Sequence, residues 1–159
     1  MERVGLTHQE QPDFAMFAAL TRLRYEYAFG IDTRDFDLLR SVFVEDIDMD
    51  FSSYNDRPSQ TLTADNWVAG CARLFNGLDA TQHTMTNPII DLVSPTESLM
   101  RMAMQAAHFL DGVEFRIGGW YQDRAVLTET GWKLAGVTLN VTWRNGDESI
   151  MQRALGVSQ

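Results

Sequence analysis

The stretch Ser98-Leu-Met-Arg-Met-Ala-Met-Gln-Ala-Ala-His-Phe-Leu-Asp-Gly-Val113 decides the fold of this chain. Its methionines recur at every second position and His108 follows in the same phase, which is the period of a strand with one buried face. Asp111-Gly112 is a dipeptide typical of the tight turn between two antiparallel strands. The stretch therefore predicts a hairpin whose first strand directs its methionines and His108 toward the apolar side of a sheet.

The whole chain after residue 79 has this character. Alternating apolar residues between turn dipeptides predict long strands over 80–93, 98–110, 113–128 and 132–143. On the first of these strands His83, Met85, Asn87 and Ile89 are expected to share one face. Two histidines on neighbouring strands should therefore face the same methionine-lined space.

The first part of the chain has helical spacing instead. Apolar residues separated by three and four positions predict a helix over 12–29 that is stopped by Gly30. A second helix is predicted over 34–43, with Thr33 as its N-cap. Asp32 is therefore expected in a tight corner between the two helices.

The remaining elements complete an α+β pattern. Thr63 is expected to cap a third helix, which carries Trp67 on its apolar side and ends at Asn76-Gly77. Residues 43–51 alternate as a strand, and residues 148–155 predict a short final helix. Three early helices followed by antiparallel strands predict an α+β domain whose sheet curls around the helices to bury one face.

Composition limits the classes of function. A chain of 159 residues with 45% apolar residues fits one domain, and its net charge of −9 without a basic run argues against nucleic acid or an anionic membrane as partner. Residues 1–10 contain no apolar leader, and no segment approaches the roughly 18 apolar residues of a membrane helix. Cys71 is the only cysteine, so no internal disulfide can form. A cytoplasmic protein is expected.

Asp32, His83 and His108 are the candidate acid/base groups. Imidazole titrates near neutral pH, and a carboxylate can fix its tautomer and raise its basicity. Two histidines and a carboxylate can also hold iron, but the short His-x-Asp/Glu spacing of such sites is missing. An acidic series in 46–50 has Phe51 where a calcium loop needs glycine. We therefore expect neither a metal nor another cofactor.

Several motifs occur in an order that resembles a known family. They are residues 31–43, residues 45–50, Gln82-His83, residues 118–123 and residues 131–134. Together they resemble the SnoaL-like family, and within it the scytalone dehydratase and lindane dehydrochlorinase branch, over residues 12–145. The resemblance implies the cone-shaped barrel of nuclear transport factor 2, with three N-terminal helices packed in a strongly curved, mostly antiparallel sheet. It also implies that Asp32 and His83 form a proton-removing pair and that His108 is the second catalytic histidine.

The chain departs from both relatives at supporting positions. Ile31 and Phe51 stand where scytalone dehydratase is expected to carry tyrosines, and Tyr27 and Val137 stand where the dehydrochlorinase is expected to carry cations. The reaction of neither relative is therefore expected to carry over unchanged. Tyr27, on the inner stripe of the first helix, is the best candidate for a phenol in the site.

The hypothesis is a lyase or isomerase for a cyclic, polyketide- or terpenoid-like substrate. His83 would abstract a proton, while His108 with Tyr27 would protonate a leaving hydroxyl or an enolate. Further substrate contacts are expected from Tyr54, Trp67, Met85, Met100, Met102, Met104 and Trp120. The alternatives are a non-catalytic module that binds an apolar ligand or assembles with partners, and a steroid-type isomerase, which would need a carboxylate base. A homo-oligomer, dimer or trimer, is expected by resemblance.

Overall fold

The structure, a computed structural model, describes residues 11–156, so the predicted lack of a leader in residues 1–10 lies outside the described residues. The elements are α1 (Phe14–Thr33), α2 (Phe36–Ser41), β1 (Phe43–Asp50), α3 (Ser52–Asn55), β2 (Gln60–Thr63), α4 (Ala64–Asn76), β3 (Ala80–Ser94), β4 (Glu97–Leu110), β5 (Val113–Thr128), β6 (Gly131–Gly146) and α5 (Ser149–Ala154). The predicted long strands, third helix and short final helix are confirmed to within three residues. Among residues 11–156, no helix combines the length and apolar character needed to cross a membrane.

The strands form one curved sheet in the order β2-β1-β6-β5-β4-β3. Neighbours are antiparallel except β1 and β6, which pair in parallel. The predicted α+β class with N-terminal helices and a mostly antiparallel, curved sheet is confirmed. The sheet ends in two edges, β2 and β3, so the cone is open rather than a closed barrel.

The first helix continues past Gly30, where it was predicted to stop. A Cβ atom at Gly30 would lie 2.9 Å from the Leu39 backbone nitrogen, so glycine here permits the close approach of α2. The helix ends instead at Arg34, which has a left-handed backbone with φ of 62° and donates its N–H to the Ile31 carbonyl. Asp32 therefore lies in the last turn of α1, rather than in the predicted corner between the two helices.

The N-cap of α2 also differs from the prediction. Thr33 still belongs to α1, and its hydroxyl donates to the Phe29 carbonyl at 2.7 Å. Asp35 caps α2 by accepting from the Leu38 N–H at 2.9 Å. Because the turn between the helices takes up two residues, α2 is shorter than the predicted 34–43.

Strand β3 changes its facing direction at Asn87. This residue has a φ of 55°, and the register with β4 shifts between Thr86 and Ile89. The predicted shared face holds for His83 and Met85 but is wrong for Ile89, which is 54% exposed. Ile90 enters the core in its place, because the irregularity adds one residue to the alternation.

The segment between β1 and α4 holds two short elements that residue spacing did not predict, α3 and β2. The Ser53 hydroxyl donates to the Leu139 carbonyl at 2.6 Å, and Arg144 donates to the Tyr54 carbonyl at 2.5 Å. These bonds fix α3 against β6. The segment then forms part of the rim of the cavity described below.

A buried ion pair joins α1 to β5. Arg24 Nε donates to Asp123 Oδ2 at 2.7 Å, Arg24 Nη2 donates to Asp123 Oδ1, and both side chains are fully buried. Burial opposes the charge on Arg24, but Asp123 outweighs this effect and raises the pKa of the guanidinium. The guanidinium carbon lies 3.6 Å from the Tyr121 ring centroid and 4.5 Å from that of Tyr27. The pair therefore supports two aromatic side chains of the interior.

Candidate active site

Asp32 and His83 are in direct contact. His83 Nδ1 lies 2.7 Å from Asp32 Oδ1, and the His83 backbone N–H donates to Asp32 Oδ2 at 2.7 Å. The His83 side chain is only 5% exposed, whereas that of Asp32 is 19% exposed. A carboxylate only accepts hydrogen bonds, so Nδ1 carries a ring proton, and in the neutral imidazole the other ring nitrogen, Nε2, has a free electron pair.

His108 lies beside His83, with ring centroids 5.7 Å apart and the rings nearly perpendicular. Its Nδ1 lies 3.3 Å from the Phe115 carbonyl oxygen, which fixes the proton on Nδ1 and leaves Nε2 as an acceptor. Burial, and secondly the neighbouring His83, lower the pKa of His108 to about 4. His108 is therefore neutral near pH 7.

The low pKa of His108 predicts a loss of stability in acid. An unfolded histidine binds its proton near pH 6.5, whereas the folded one resists protonation down to about pH 4. Stability from this group is thus complete above pH 6.5 and decreases as the pH falls toward 4, by on the order of 3 kcal/mol. Urea unfolding at pH 7.5 and pH 4.5 measures the change.

The matched control for this prediction is His108→Phe. Phenylalanine can keep the stacking with Phe75 and Phe115 but cannot take up a proton. Groups distant from position 108 titrate in the same way in both proteins, so the difference between the two pH dependences reports the removal of His108. An equal loss of stability in wild type and variant would contradict the prediction.

The two histidines line an internal cavity of about 280 Å³. Phe75 of α4 packs edge-on against His83 and stacks on His108, with centroid distances of 5.7 and 6.2 Å. Three of the predicted substrate-contact residues also line this cavity, Tyr54, Trp67 and Met104, and so does Tyr27, the predicted catalytic phenol. Burial raises the pKa of Tyr27 well above its usual range and that of Tyr54 to about 12, so both phenols keep their protons.

Four other predicted contact residues do not line the cavity. Met85, Met100 and Met102 are buried, but they pack within the hydrophobic core. Successive inward residues of a strand are roughly 7 Å apart, so Met102 and Met100 lie beyond the cavity that ends at Met104. Trp120 lies on the outer sheet face beside Trp143, because its neighbour Tyr121 points inward.

Three residues near the site escaped sequence reasoning. Tyr121 lines the cavity, and its ring centroid lies 5.9 Å from that of Tyr27. Thr81 donates to Asp32 Oδ1 at 2.9 Å, and Arg34 donates to Thr81 Oγ1 at 2.8 Å. Strand alternation could have suggested Tyr121, which shares the inward phase of Phe115 and Asp123. The contacts of Thr81 and Arg34 depend on how α1 ends.

Asp32 also faces the outside of the protein. It does not line the internal cavity but contributes to a surface groove between α1 and β3, together with Tyr25, Phe29 and Thr81. His83 borders both spaces. The carboxylate–imidazole pair therefore lies in the wall between the groove and the cavity.

The site was also assessed as a metal centre. Within residues 11–156, no group of three or more His, Cys, Asp or Glu side chains has an arrangement that could hold a metal ion. Asp48 and Asp50, from the acidic series on β1, instead accept hydrogen bonds from Thr61 and Ser52. The described residues thus give no donor set on which to build a metal step.

Comparison with known proteins places the fold of this chain in a family. Residues 16–138 match the sequence profile of the SnoaL-like domain. A scytalone dehydratase of Colletotrichum orbiculare is 24% identical over 149 residues, which cover 84% of this chain and 77% of that enzyme. Helices packed into an open, curved sheet are the cone fold typified by nuclear transport factor 2.

Two solved structures show the same cone. The Kfla4162 protein from Kribbella flavida aligns with a TM-score of 0.80 and 25% identity, over 87% of this chain and 97% of that chain. A hexachlorocyclohexane dehydrochlorinase from Novosphingobium barchaimii aligns with a TM-score of 0.69 and 16% identity, over 84% and 91% of the two chains. Since the profile match spans most of the sequence, the chain belongs to the SnoaL-like domain family.

Proposed function

We propose that this protein is a small-molecule lyase or isomerase in which His83 removes a proton from a carbon atom of a cyclic substrate. The observation that carries the proposal is the 2.7 Å contact between Asp32 Oδ1 and His83 Nδ1, made by a histidine that lines the cavity. The hydrogen bonds that His83 makes to the described residues use its backbone N–H and Nδ1, not Nε2. An oriented imidazole with a free electron pair beside an apolar cavity is suited to act as a general base.

We assign His108 a role other than that of the acid, which was the role predicted from the sequence. A group with a pKa of about 4 carries no proton to donate from an imidazolium near pH 7. Its one N–H is engaged by the Phe115 carbonyl, so Nε2 can only accept. We therefore assign His108 to accept a hydrogen bond from a substrate hydroxyl and so orient it next to His83.

The phenols of Tyr27 and Tyr121 are assigned to stabilise an enolate. Burial raises the pKa of both groups, so each keeps a proton with which to donate a hydrogen bond. The Arg24 guanidinium on the two rings opposes that rise and strengthens both phenols as donors. Donors fixed in advance in a dry cavity stabilise developing negative charge more than water does. Tyr27 and Tyr121 thus supply phenol groups in place of the tyrosines that the resemblance led us to expect at positions 31 and 51, where this chain has Ile31 and Phe51.

These assignments define a balanced sequence of steps. The proton passes from the substrate carbon to His83 Nε2, and the electron pair moves to the adjacent carbonyl oxygen as an enolate. In an elimination, the enolate expels a hydroxyl group, and His83 returns its proton to that group, which leaves as water. In an isomerisation, His83 returns the proton to another carbon. Both outcomes begin with the same enolisation.

The cavity favours small, flat and largely apolar substrates. Its volume of about 280 Å³ is at the small end of the range for ligand pockets. Its wall combines Phe75, Trp67 and Met104 with the two histidines and the tyrosines. We propose a mono- or bicyclic ketone with a hydroxyl group, of the kind found in polyketide and terpenoid chemistry.

Exchange of carbon-bound hydrogen for deuterium tests this proposal. Cyclic β-hydroxy ketones that raise the melting temperature of the protein are incubated with it in D₂O, and mass spectrometry follows deuterium uptake and loss of water. Wild type should accelerate exchange at the carbon next to the carbonyl. His83→Gln should lose roughly 10²- to 10⁴-fold of that acceleration, the usual contribution of a general base.

His83→Gln also distinguishes catalysis from binding. Glutamine is neutral, so the variant should still bind the ketone and still raise its melting temperature. Ligands that stabilise wild type without any exchange or loss of water would indicate a binding module. Equal exchange in wild type and His83→Gln would remove His83 from the mechanism.

A further inference from the structure

Arg34 and Thr81 form a connected group behind the Asp32–His83 pair. The left-handed backbone at Arg34 ends α1 and turns the chain toward α2. Its guanidinium folds back, and Nη1 donates to the Ile31 carbonyl at 2.6 Å and to Thr81 Oγ1 at 2.8 Å. Neither Arg34 nor Thr81 lines the internal cavity. They therefore have no direct contact with a substrate bound there.

The chemistry of the donors fixes the direction of each hydrogen bond in this group. A guanidinium can only donate, so Arg34 occupies a lone pair of the Thr81 hydroxyl. A carboxylate can only accept, so the single hydroxyl proton of Thr81 is directed to Asp32 Oδ1, 2.9 Å away. The chain of donation consequently runs from Arg34 through Thr81 to Asp32, and the Thr81 hydroxyl has no alternative rotamer that satisfies both partners.

The carboxylate is held from two sides by this arrangement. Oδ1 accepts from Thr81 and from the His83 ring, while Oδ2 accepts from the His83 backbone N–H. Asp32 is 19% exposed toward the outer groove, where water competes for the same oxygens. Without the Thr81 hydroxyl, Oδ1 would keep only the His83 ring as a partner, and the backbone bond to Oδ2 would be the one remaining contact that orients the carboxylate independently of the ring.

We propose that Thr81 and Arg34 are positioning residues that hold the Asp32 carboxylate toward His83 Nδ1 and so keep His83 Nε2 unprotonated. Their importance for turnover rests on the proposed function of His83 as the base. Their effect on the tautomer is a property of the free protein, which can be measured without a substrate.

Nitrogen-15 NMR of the imidazole side chains tests the proposal. Spectra are recorded at pH 8, where an ordinary imidazole is neutral and the two ring nitrogens report the tautomer directly. Wild type should show His83 with its proton on Nδ1. Thr81→Val, which replaces the hydroxyl by a methyl group of similar size, should give a mixture of tautomers and faster solvent exchange of the Nδ1 proton. Thr81→Ser should restore the wild-type spectrum.

Two further variants separate positioning from general damage to the fold. Thr84→Val makes the same chemical change on the exposed face of β3 and should leave the His83 signals unchanged. Arg34→Met should shift the tautomer in the same direction as Thr81→Val, because it removes the donor that fixes the Thr81 hydroxyl. The His108 proton should stay on Nδ1 in every variant, because the Phe115 carbonyl holds it there.

Deuterium exchange of a bound ketone provides the second measurement. Thr81→Val should slow exchange roughly 10- to 100-fold, by analogy with side chains that orient metal-bound histidines. A wild-type His83 tautomer in Thr81→Val would overturn the proposal. A changed tautomer with unchanged exchange would leave the positioning role intact and instead contradict His83 as the base, so the two failures are distinguishable.

Discussion

Replacing Asp32 with asparagine should lower turnover by roughly 10²- to 10⁴-fold while the protein stays folded. The Asp32 carboxylate accepts on both oxygens, from Thr81 and the His83 ring on Oδ1 and from the His83 backbone on Oδ2. An amide has only one accepting oxygen. If that oxygen keeps the backbone bond, the NH₂ group faces His83 Nδ1 and favours the tautomer with the proton on Nε2, which cannot act as a base.

The matched control for Asp32→Asn is Asp35→Asn. Asp35 lies three residues away and caps α2, and asparagine caps helices equally well. Both variants remove one negative charge from the same part of the surface, but only one changes the His83 partner. Measured by deuterium exchange, Asp35→Asn should resemble wild type. Equal rates in wild type and Asp32→Asn would contradict a catalytic role for the carboxylate.

Breaking the buried Arg24–Asp123 pair should be the most destabilising change to the described interior. Asp123→Ala leaves a fully buried guanidinium without its anion, which typically costs about 3–5 kcal/mol. Proteins of ordinary stability have only about 5–15 kcal/mol in total. Urea unfolding should therefore show a large loss, and Arg24→Met should also destabilise by leaving the Asp123 carboxylate unpaired.

The double variant Arg24→Met with Asp123→Leu distinguishes a lost attraction from an uncompensated charge. Two apolar side chains of similar size remove both buried charges, so the double variant should be more stable than Asp123→Ala and more stable than Arg24→Met. Arg22→Met is the surface control, because the Arg22 side chain is 75% exposed and surface pairs such as Arg22–Glu26 contribute only about 0–1 kcal/mol. A loss below about 1 kcal/mol in Asp123→Ala would contradict the prediction.

The strands and the inward direction of both histidines could be predicted because they follow from local alternation. Met104 and His108 share a phase along β4, and the sheet has one buried face, so the pattern alone determines their side. The alternation did not predict the facing direction of side chains beyond an irregularity in the strand. Asn87 shifts the phase of β3, and Ile89 faces outward as a result.

The residues around Asp32 show why the rest of the site could not be predicted from spacing. Gly30 is a residue type that often ends a helix, but here it serves close packing against Leu39 and the helix continues. The contact between Arg34 and Thr81 joins residues that are 47 positions apart in the sequence. It depends on the left-handed backbone of Arg34, which directs the long side chain of that residue toward Thr81. Asp32 was a candidate from its position after the first helix, and the family resemblance added its pairing with His83. Its three hydrogen bonds depend on tertiary structure.

The placement of Asp32 and His83 in the wall gives the two side chains of the pair different surroundings. The imidazole borders the internal cavity, whereas its carboxylate partner is 19% exposed and faces the outer groove. A molecule that fills the cavity and closes its mouth does not separate the pair from the surrounding buffer.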